Sequence, residues 1–369
     1  MGERKTKTGR SGRAPWVLLS LGLLTAGACG PAVADGDGGT DAPAGGTTGS
    51  GGATTGSGGT TSSGGTASGG ASSGGEASGD LGGETSSGGT SSGGETGSGG
   101  VVGEDGWSLV WSDEFDGDAI DLAKWEHEVD CWGGGNNEDQ CYVTDAKNSF
   151  LADGLLHIVA IKDNPSGPEG GGSGNDGIVS KGHSSARLRT KNKGDFKYGR
   201  IEASLQLPFG QGLWPAFWML PTDEAYGGWA ASGEIDIMEA VNLDPATEVY
   251  GTLHYGGAWP DNTSSGDSTT PSSNAWENFH EYAVEWEEGE VRWFVDDELY
   301  QTQTDWFSAA ADFPAPFNER FHIILNVAVG GSWPGPPDGT TTFPQELLVD
   351  YVRVFECAAD PETGHGCGG

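Results

Sequence analysis

The sequence predicts an all-β fold, a β-sandwich or jelly roll, for the aromatic-rich part of the chain after residue 102. Short stretches in which apolar and polar residues alternate are separated by Gly, Pro, Asn and Asp. Turn residues recur about every 8 to 15 positions, which is typical of sandwiches and jelly rolls. No segment keeps an apolar period of 3.6 residues, so no long helix is expected.

The first hundred residues differ sharply in composition from the rest. Residues 30–102 are almost entirely Gly, Ser, Thr and Ala, whereas thirteen of the 14 Trp and all 13 Phe and 8 Tyr come later. A segment without large apolar side chains cannot offset its ordering entropy, so 30–102 is expected to be a disordered linker. Residues 103–357 are long enough for one large domain. Residues 358–369 are expected to form a C-terminal tail.

Residues 1–29 have the pattern of an export signal. Several Lys and Arg precede the apolar run WVLLSLGLLTAGA, which is too short to span a bilayer as a stable helix. The run ends in AGAC, which is similar to a bacterial lipoprotein cleavage box. The expectation is therefore a lipid on Cys29 and an exported protein at the cell surface or outer membrane. The alternative is an ordinary secretory signal cut near Ala28, with release outside the cell.

The cysteine count agrees with a lipid on Cys29. The chain has five Cys, and four remain when Cys29 is set aside: Cys131, Cys141, Cys357 and Cys367. Four Cys in an exported chain indicate two disulfides with three possible pairings. The short-range pairing of the first two and of the last two is expected, and the other pairings stay open.

The charge of the chain narrows its partners. Eighteen basic and 54 acidic residues give a net charge of −36. This charge argues against nucleic acid and against electrostatic binding to anionic lipid. A neutral polymer is the partner that fits best, and the protein is expected to be a monomer.

Four stretches show the clearest strand pattern. In GRIEASLQLP, the apolar residues from Ile201 to Leu207 alternate with polar ones, which predicts a strand with one solvated face. The stretch from Phe279 predicts a hairpin that turns at Glu288–Gly289. These stretches are LLHIVAIKD from Leu155, GRIEASLQLP from Gly199, FHEYAVEWEEGEVRWFVDDELY from Phe279 and LLVDYVRVFE from Leu347.

The stretch GEIDIMEA, residues 233–240, holds three carboxylates. Strand alternation puts Glu234 and Asp236 on one face and Glu239 on the other. One extra residue, a β-bulge near Ile237–Met238, would return Glu239 to the face of the other two acids. Two carboxylates that approach each other across a ligand are the geometry of a retaining glycosidase, and the acid between them can hold their pKa values apart.

Two other interpretations of these acids are a solvated acidic strand face and a calcium site. The neighbouring stretch LWPAFWML argues against both. At a period of two, Trp214, Ala216 and Trp218 share one face, while Pro215 and Phe217 lie on the other. Two indoles spaced around a small residue can flank a sugar ring, which favours a carbohydrate site beside the acidic strand.

The chain resembles glycoside hydrolase family 16, and within it the laminarinase-like endo-β-1,3-glucanases. EIDIME matches the E-x-D-x-x-E run of that group in its bulged form. Further blocks in the family's order extend the resemblance from Trp107 to Phe355. They are WSDEFDG, NNEDQCY, SARLRTKNKGDFKYGRIEA, LWPAFWML, GTLHYGG, FHIILNVAVGGSWPG and DYVRVF. The resemblance implies a concanavalin-like jelly roll with a concave substrate cleft.

The resemblance also assigns roles to residues. It implies Glu234 as nucleophile, Asp236 as its assistant and Glu239 as acid/base, with no cofactor for catalysis. The residues expected to contact substrate are Trp214 and Trp218 as sugar platforms, Asn137 and Arg187 as hydrogen-bond donors, His254 beside Glu239, and Trp333 as a further platform.

A structural calcium away from the cleft is also implied by the family. The positions that match it are Glu114, Asp350 and a backbone oxygen near Gly154. One stretch departs from the family pattern: CWGGGNNEDQCY carries two Cys and extra Gly, which could close a loop at the cleft edge.

The expected function is an exported endo-β-1,3-glucanase that acts on laminarin-like β-glucan by a retaining mechanism. One alternative keeps the mechanism and changes the substrate to mixed-linkage β-glucan or a galactan, or the reaction to transglycosylation. An alternative of another class is a β-glucan-binding module without catalysis on the same fold.

Overall fold

The computed structural model describes residues 106–170 and 177–368, all of which belong to one compact unit. The described residues form twenty β-strands and no helix, which confirms the prediction of an all-β sandwich. The signal segment, Cys29 and the whole of the predicted linker lie outside the described residues. The strands are β1 (Trp107–Asp113), β2 (Glu126–His127), β3 (Gln140–Tyr142), β4 (Ser149–Ala152), β5 (Leu155–Ala160), β6 (Ser166–Pro168), β7 (Ile178–Ser180), β8 (His183–Ser185), β9 (Arg187–Arg189), β10 (Asp195–Phe196), β11 (Gly199–Gln206), β12 (Leu213–Pro221), β13 (Glu234–Glu239), β14 (Val249–Gly256), β15 (Asn262–Thr269), β16 (His280–Glu287), β17 (Glu290–Val295), β18 (Glu298–Gln303), β19 (Phe321–Val329) and β20 (Gln345–Cys357).

Two eight-stranded antiparallel sheets contain most of these strands. Sheet 1 has the order β18-β17-β16-β11-β20-β5-β4, with β1 also paired to β20. Sheet 2 has the order β15-β14-β13-β12-β19-β9-β2, with β10 also paired to β19. Two short pairs, β3-β8 and β6-β7, lie outside the main sheets. The acidic strand β13 is therefore in the middle of sheet 2.

The main core lies between the sheets, and period-two alternation decides which side chains enter it. Phe217 and Met219 of β12 join the main core, as do Ile201 and Leu205 of β11 in the other sheet. Trp214, Ala216 and Trp218 form a second buried cluster on the opposite face of sheet 2. The division of β12 into two faces is confirmed.

The prediction of a solvated polar face for β11 is wrong. Glu202 and Ser204 are buried. The Arg200 guanidinium lies among carboxylates on this face, with its Nε 2.7 Å from Glu202 and an Nη 2.7 Å from Glu281. Neighbouring strands cover the face with long charged side chains that pair with each other, so charge alone does not keep these positions exposed.

The short-range disulfide pairing is confirmed. Cys131 bonds to Cys141, and Cys357 bonds to Cys367. The second bond ties the tail to β20, where both of its Cys pack against Trp107. The hairpin predicted at Glu288–Gly289 is also confirmed as the turn between β16 and β17.

No helix that could cross a membrane is found among residues 106–170 and 177–368.

Candidate active site

The three carboxylates of β13 lie on the face of sheet 2 that points away from the main core. Against β12, Met238 pairs with Phe217 but Asp236 pairs with Trp218, so Ile237 is the extra residue of a bulge. Ile237 and Met238 both reach the main core. The bulge predicted from the spacing is confirmed, and it returns Glu239 to the face of Glu234 and Asp236.

Glu234 is held by a tryptophan from the loop that precedes β13. The Trp229 indole Nε1 donates a hydrogen bond to Glu234 Oε2 at 2.7 Å. Gly233 sits between this loop and the strand with φ of +89°, and a Cβ there would lie 2.8 Å from the Phe317 ring. Only glycine fits this position without strain. The loop therefore returns close to the strand, and the carboxylate is oriented by an indole donor.

Asp236 and His254 form a buried pair beside Glu234. His254 Nε2 lies 3.2 Å from Asp236 Oδ2 and 3.9 Å from Glu234 Oε1. The sequence-based prediction places His254 beside Glu239, whereas the register puts it opposite Glu234 and puts Tyr250 opposite Glu239. That placement is corrected: strand pairing decides the neighbour of a side chain, and the register of β14 is not visible in the sequence.

Burial and mutual repulsion control the protonation of this group. Burial, then the neighbouring charges of Asp236 and Glu239, raises the pKa of Glu234 well above its ordinary value. Burial likewise raises the pKa of Asp236, which a hydrogen bond with Glu234 lowers in part. Burial lowers the pKa of His254 to about 4, so its ring is neutral near pH 7. Two adjacent carboxyls that resist joint ionisation can share one proton.

Glu239 is oriented by the other end of the aromatic cluster. Trp214 Nε1 donates a hydrogen bond to Glu239 Oε1 at 2.8 Å. Trp333 meets the Trp214 ring edge-on, with centroids 5.2 Å apart, and meets Tyr250 at the same distance. The two outer acids are therefore each fixed by an indole N–H, while the middle acid is paired with a histidine.

Trp218 and Arg187 stack on each other within the same face. The Arg187 guanidinium carbon lies 4.7 Å from the centroid of the Trp218 ring and forms an ion pair with Glu128. Trp218 Nε1 donates to Asn326 Oδ1 at 2.7 Å. Arg187, Trp214 and Trp218 are all buried. Their predicted roles in sugar binding stay predictions. The contacts observed are with each other, with Trp333 and with the polar residues around them.

Asn137 and Trp333 come from two loops that are joined by hydrogen bonds. Asn137 Nδ2 donates to Ser332 Oγ at 3.2 Å, and the Ser332 backbone N–H donates to the Asn136 carbonyl at 2.7 Å. The Cys131–Cys141 disulfide closes the loop that carries Asn137. Asn137 is exposed and Trp333 is half-buried beside Trp214. The loop that departs from the family pattern thus supports one wall of the site.

The residues predicted for calcium do not form a side-chain cluster. Arg353 binds the Glu114 carboxylate through two hydrogen bonds, at 3.0 and 2.7 Å. Asp350 and Gly154 are both exposed. Within the described part of the chain, the one group of three carboxylate or histidine side chains close enough for a metal is Glu234, Asp236 and His254. The calcium remains a prediction without support from Glu114.

Four residues to which the sequence assigned no role in the site complete it. Trp229 orients Glu234, and Asn326 orients Trp218. Glu128 pairs with Arg187. The Tyr142 hydroxyl accepts a hydrogen bond of 3.1 Å from Asn326 Nδ2. Trp229 acts on a residue five positions away, whereas the other three act on residues from distant parts of the chain. Their only sequence signal is that they occur within or near the blocks that resemble the family.

Replacing Asp236 with asparagine is expected to move the acid limb of the pH–rate profile. If Glu234 must be ionised to react, its raised pKa places that limb above the ordinary value of 4.5. Removing the Asp236 charge removes one cause of the raised pKa, so the limb should move to lower pH. The rate kcat should fall about a hundredfold, because the partner of Glu234 is altered. Measuring kcat/KM from pH 3 to 9 in both proteins tests this, and an unmoved limb would contradict it.

The comparisons with known proteins agree with this geometry. Residues 137–352 match the model of glycosyl hydrolases family 16. The chain is 42% identical over 266 residues to "Glucan endo-1,3-beta-glucosidase A1" of Niallia circulans, a match that covers 68% of this chain and 38% of that relative. It is 35% identical over 290 residues to "Beta-1,3-glucan-binding protein" of Penaeus monodon, covering 65% and 79%. The X-ray structure of the laminarinase from Rhodothermus marinus matches with a TM-score of 0.58 and 40% identity, over 68% of this chain and 97% of that one. The chain therefore belongs to glycosyl hydrolases family 16 and is a glycoside hydrolase of that family.

Proposed function

We propose that the protein is an endo-β-1,3-glucanase that hydrolyses laminarin-like β-glucan with net retention of anomeric configuration. The observation that carries the proposal is the arrangement of β13, where a bulge places three carboxylates on one face. The outer two each accept a hydrogen bond from an indole, and the middle one lies beside the nucleophile candidate.

In the first step, Glu234 is the nucleophile. Its free oxygen attacks the anomeric carbon, the glycosidic C–O bond breaks, and Glu239 transfers its proton to the leaving oxygen. Glu234 Oε2 accepts from Trp229, whereas Glu234 Oε1 lies 3.9 Å from His254 Nε2, beyond hydrogen-bond distance of that ring. The orientation therefore leaves one oxygen of the carboxylate available for bond formation.

In the second step, Glu239 removes a proton from water, and that water attacks the anomeric carbon of the glycosyl-enzyme. The bond to Glu234 breaks and the carboxylate is released. Asp236 lies next to Glu234 and can share a proton with it, and neutral His254 adds no positive charge to the pair. A shared proton stabilises the departing carboxylate without competing for the anomeric carbon.

The relatives support β-1,3-glucan as the substrate. The Niallia circulans relative is named a glucan endo-1,3-β-glucosidase, and the Rhodothermus marinus structure is that of a laminarinase. Both match most of the folded part of this chain. Mixed-linkage β-glucan is the substrate to compare first, because the reacting groups would be the same.

A glucan-binding module without catalysis is the second candidate function. The Penaeus monodon relative is named a β-1,3-glucan-binding protein, which makes glucan binding without catalysis the alternative to test. A binder has no chemical need for two oriented outer acids, and this chain has both. That observation favours the enzyme.

The test is to incubate the full chain with laminarin and with mixed-linkage β-glucan, and to follow new reducing ends by proton NMR. New β-anomers that appear first, at the higher rate from laminarin, are the expected result. New α-anomers would overturn retention. A higher rate on mixed-linkage glucan would change the substrate, and binding without cleavage would favour the second candidate.

We further propose export with a lipid on Cys29, a linker that lets the domain reach insoluble polymer, and a monomeric state. The support is the apolar run that ends in AGAC and the Gly- and Ser-rich composition that follows. Mass spectrometry of the mature N-terminus tests the anchor: an acylated Cys29 is expected, and any other N-terminal residue would overturn it. Light scattering would test the monomer.

A further inference from the structure

Trp259 differs from the other tryptophans of the described residues in its exposure to solvent. Of the 13 tryptophans in the described residues, it alone is exposed, with 70% of its surface accessible. The others are buried or half-buried. An indole that is left in water forgoes a large hydrophobic gain, so its position relative to the site matters.

The loop that carries Trp259 is anchored beside the reaction centre. Residues 257–261 connect β14 to β15, and the Trp259 backbone N–H donates to the Trp229 carbonyl at 3.1 Å. Trp229 in turn donates its indole N–H to Glu234 and packs its ring 5.7 Å from the His254 ring. Two hydrogen bonds therefore link Trp259 to the carboxylate proposed as nucleophile.

The strand register gives the distance. His254 lies opposite Glu234, and the loop begins at residue 257, just after the end of β14 and three positions after His254 in the chain. Three strand residues span about 10 Å. A glucan chain that extends from the acids along β14 would cover this distance with a few sugar rings, so the start of the loop that carries Trp259 is within its reach.

The shape of the loop is defined by its own contacts. Asp261 N–H donates to the Ala258 carbonyl at 2.9 Å, and a Cβ at Gly257 would lie 3.0 Å from the Asp261 carbonyl oxygen. Asp261 is also exposed and follows Trp259 by two residues in the same loop. An aromatic face for the apolar side of a pyranose, with a carboxylate as acceptor for its hydroxyl groups, is a suitable pair for a neutral sugar.

From these observations we propose that Trp259 is a sugar-binding platform at the rim of the cleft, which contacts a glucose unit of the β-glucan several units away from the cleaved bond. The inference rests on the proposed function. It makes a distinct statement: long chains should depend on Trp259, whereas chains too short to reach the loop should depend on it much less.

The experiment compares Trp259→Ala and Trp259→Phe in the full chain with Phe313→Ala as control. Phe313 is 53% exposed but packs against the Gly289 turn of sheet 1, away from the acids. The measurements are kcat and KM on laminarin and on a short laminari-oligosaccharide, and retardation in native gels that contain laminarin.

For Trp259→Ala, KM on laminarin is expected to rise about five- to tenfold, as for the loss of one aromatic contact face, with weaker retardation in the gel. The ratio of kcat/KM for laminarin to that for the short substrate should fall by a similar factor. Trp259→Phe should recover most of this loss, and Phe313→Ala should leave the ratio unchanged.

Equal losses of kcat/KM on long and short substrates would overturn the platform. So would a ratio of kcat/KM for laminarin to that for the short substrate that stays within about twofold of the wild-type ratio. Cleavage of laminarin by the wild type would in either case confirm the substrate. If the wild type neither cleaves laminarin nor is retarded by it, the proposed function fails and the platform fails with it. The retardation of the wild type in the gel and its rate on laminarin therefore distinguish failure of the platform alone from failure of the proposed function.

Discussion

Replacing Glu234 with glutamine is expected to lower kcat on laminarin by about ten-thousandfold, because the amide cannot form the glycosyl-enzyme. The fold should persist. The shape of the side chain is kept, and removing a buried acid whose pKa is raised removes a group that prefers to be neutral when folded. Initial rates of reducing-end formation and the thermal midpoint measure the two effects.

The control for this variant is Glu298→Gln. Glu298 is an exposed residue of β18 at the edge of sheet 1, so its loss should leave kcat within about twofold of the wild type. Affinity for laminarin should be retained in Glu234→Gln. A variant that binds and still cleaves at more than about a tenth of the wild-type rate would show that Glu234 is not the nucleophile.

Adding azide to Glu234→Ala would define the face of attack. The small anion can enter the space left by the carboxylate and attack the anomeric carbon from the side where Glu234 stood, while Glu239 still protonates the leaving oxygen. The expected product is an α-glycosyl azide, of inverted configuration. A β-product would place the nucleophile elsewhere.

Replacing Glu239 with alanine is expected to lower kcat on laminarin by about a thousandfold, within the range that a positioned acid/base contributes. An aryl glycoside whose leaving group needs no protonation should still form the glycosyl-enzyme, so a burst of phenolate followed by slow turnover is expected. Stopped-flow absorbance measures the burst and the later rate.

Azide separates the role of Glu239 from that of Glu234. In Glu239→Ala, azide should react with the glycosyl-enzyme on the face that water uses, and the product should be a β-glycosyl azide. The matched comparison is Trp214→Phe, which keeps the carboxylate but removes the hydrogen bond of 2.8 Å to it. That variant should lose less activity than Glu239→Ala and gain nothing from azide. If azide fails to rescue Glu239→Ala, the acid/base is another group.

The variants of Glu234 and of Glu239 together test whether both outer acids are needed, and the bulge in β13 is what places both on one face. If the same six residues formed a regular strand without the bulge, Glu239 would point into the core that Ile237 and Met238 now occupy. The bulge therefore allows three acids on one face while the apolar residues between them still pack. Buried carboxyls with raised pKa values make this strand less favourable for stability than an apolar one, as is common for groups retained for catalysis.

Several features could be predicted from the sequence because they depend on local pattern. Alternation at a period of two predicts the strands and separates Trp214 from Phe217 on β12. The spacing of Glu234, Asp236 and Glu239 predicts the bulge, since a strand has only two faces. The short separation of the Cys pairs favours the disulfides that are observed. Each of these inferences needs only residues that are close together along the chain.

Other features were decided by tertiary structure, because they join residues that are far apart along the chain. The register of β14 places His254 against Asp236 instead of beside Glu239. The approach of β20 to the loop after β1 pairs the Glu114 carboxylate with Arg353, a contact that the sequence does not show. Pairing with Arg200 buries Glu202 on a face that its composition marks as solvated. Sequence alone thus determined the strands, the shared face of the three acids and the family. The groups that orient the three acids and pair with them depend on strand register and on the paths of the loops. Both are set by the packing of the whole sandwich.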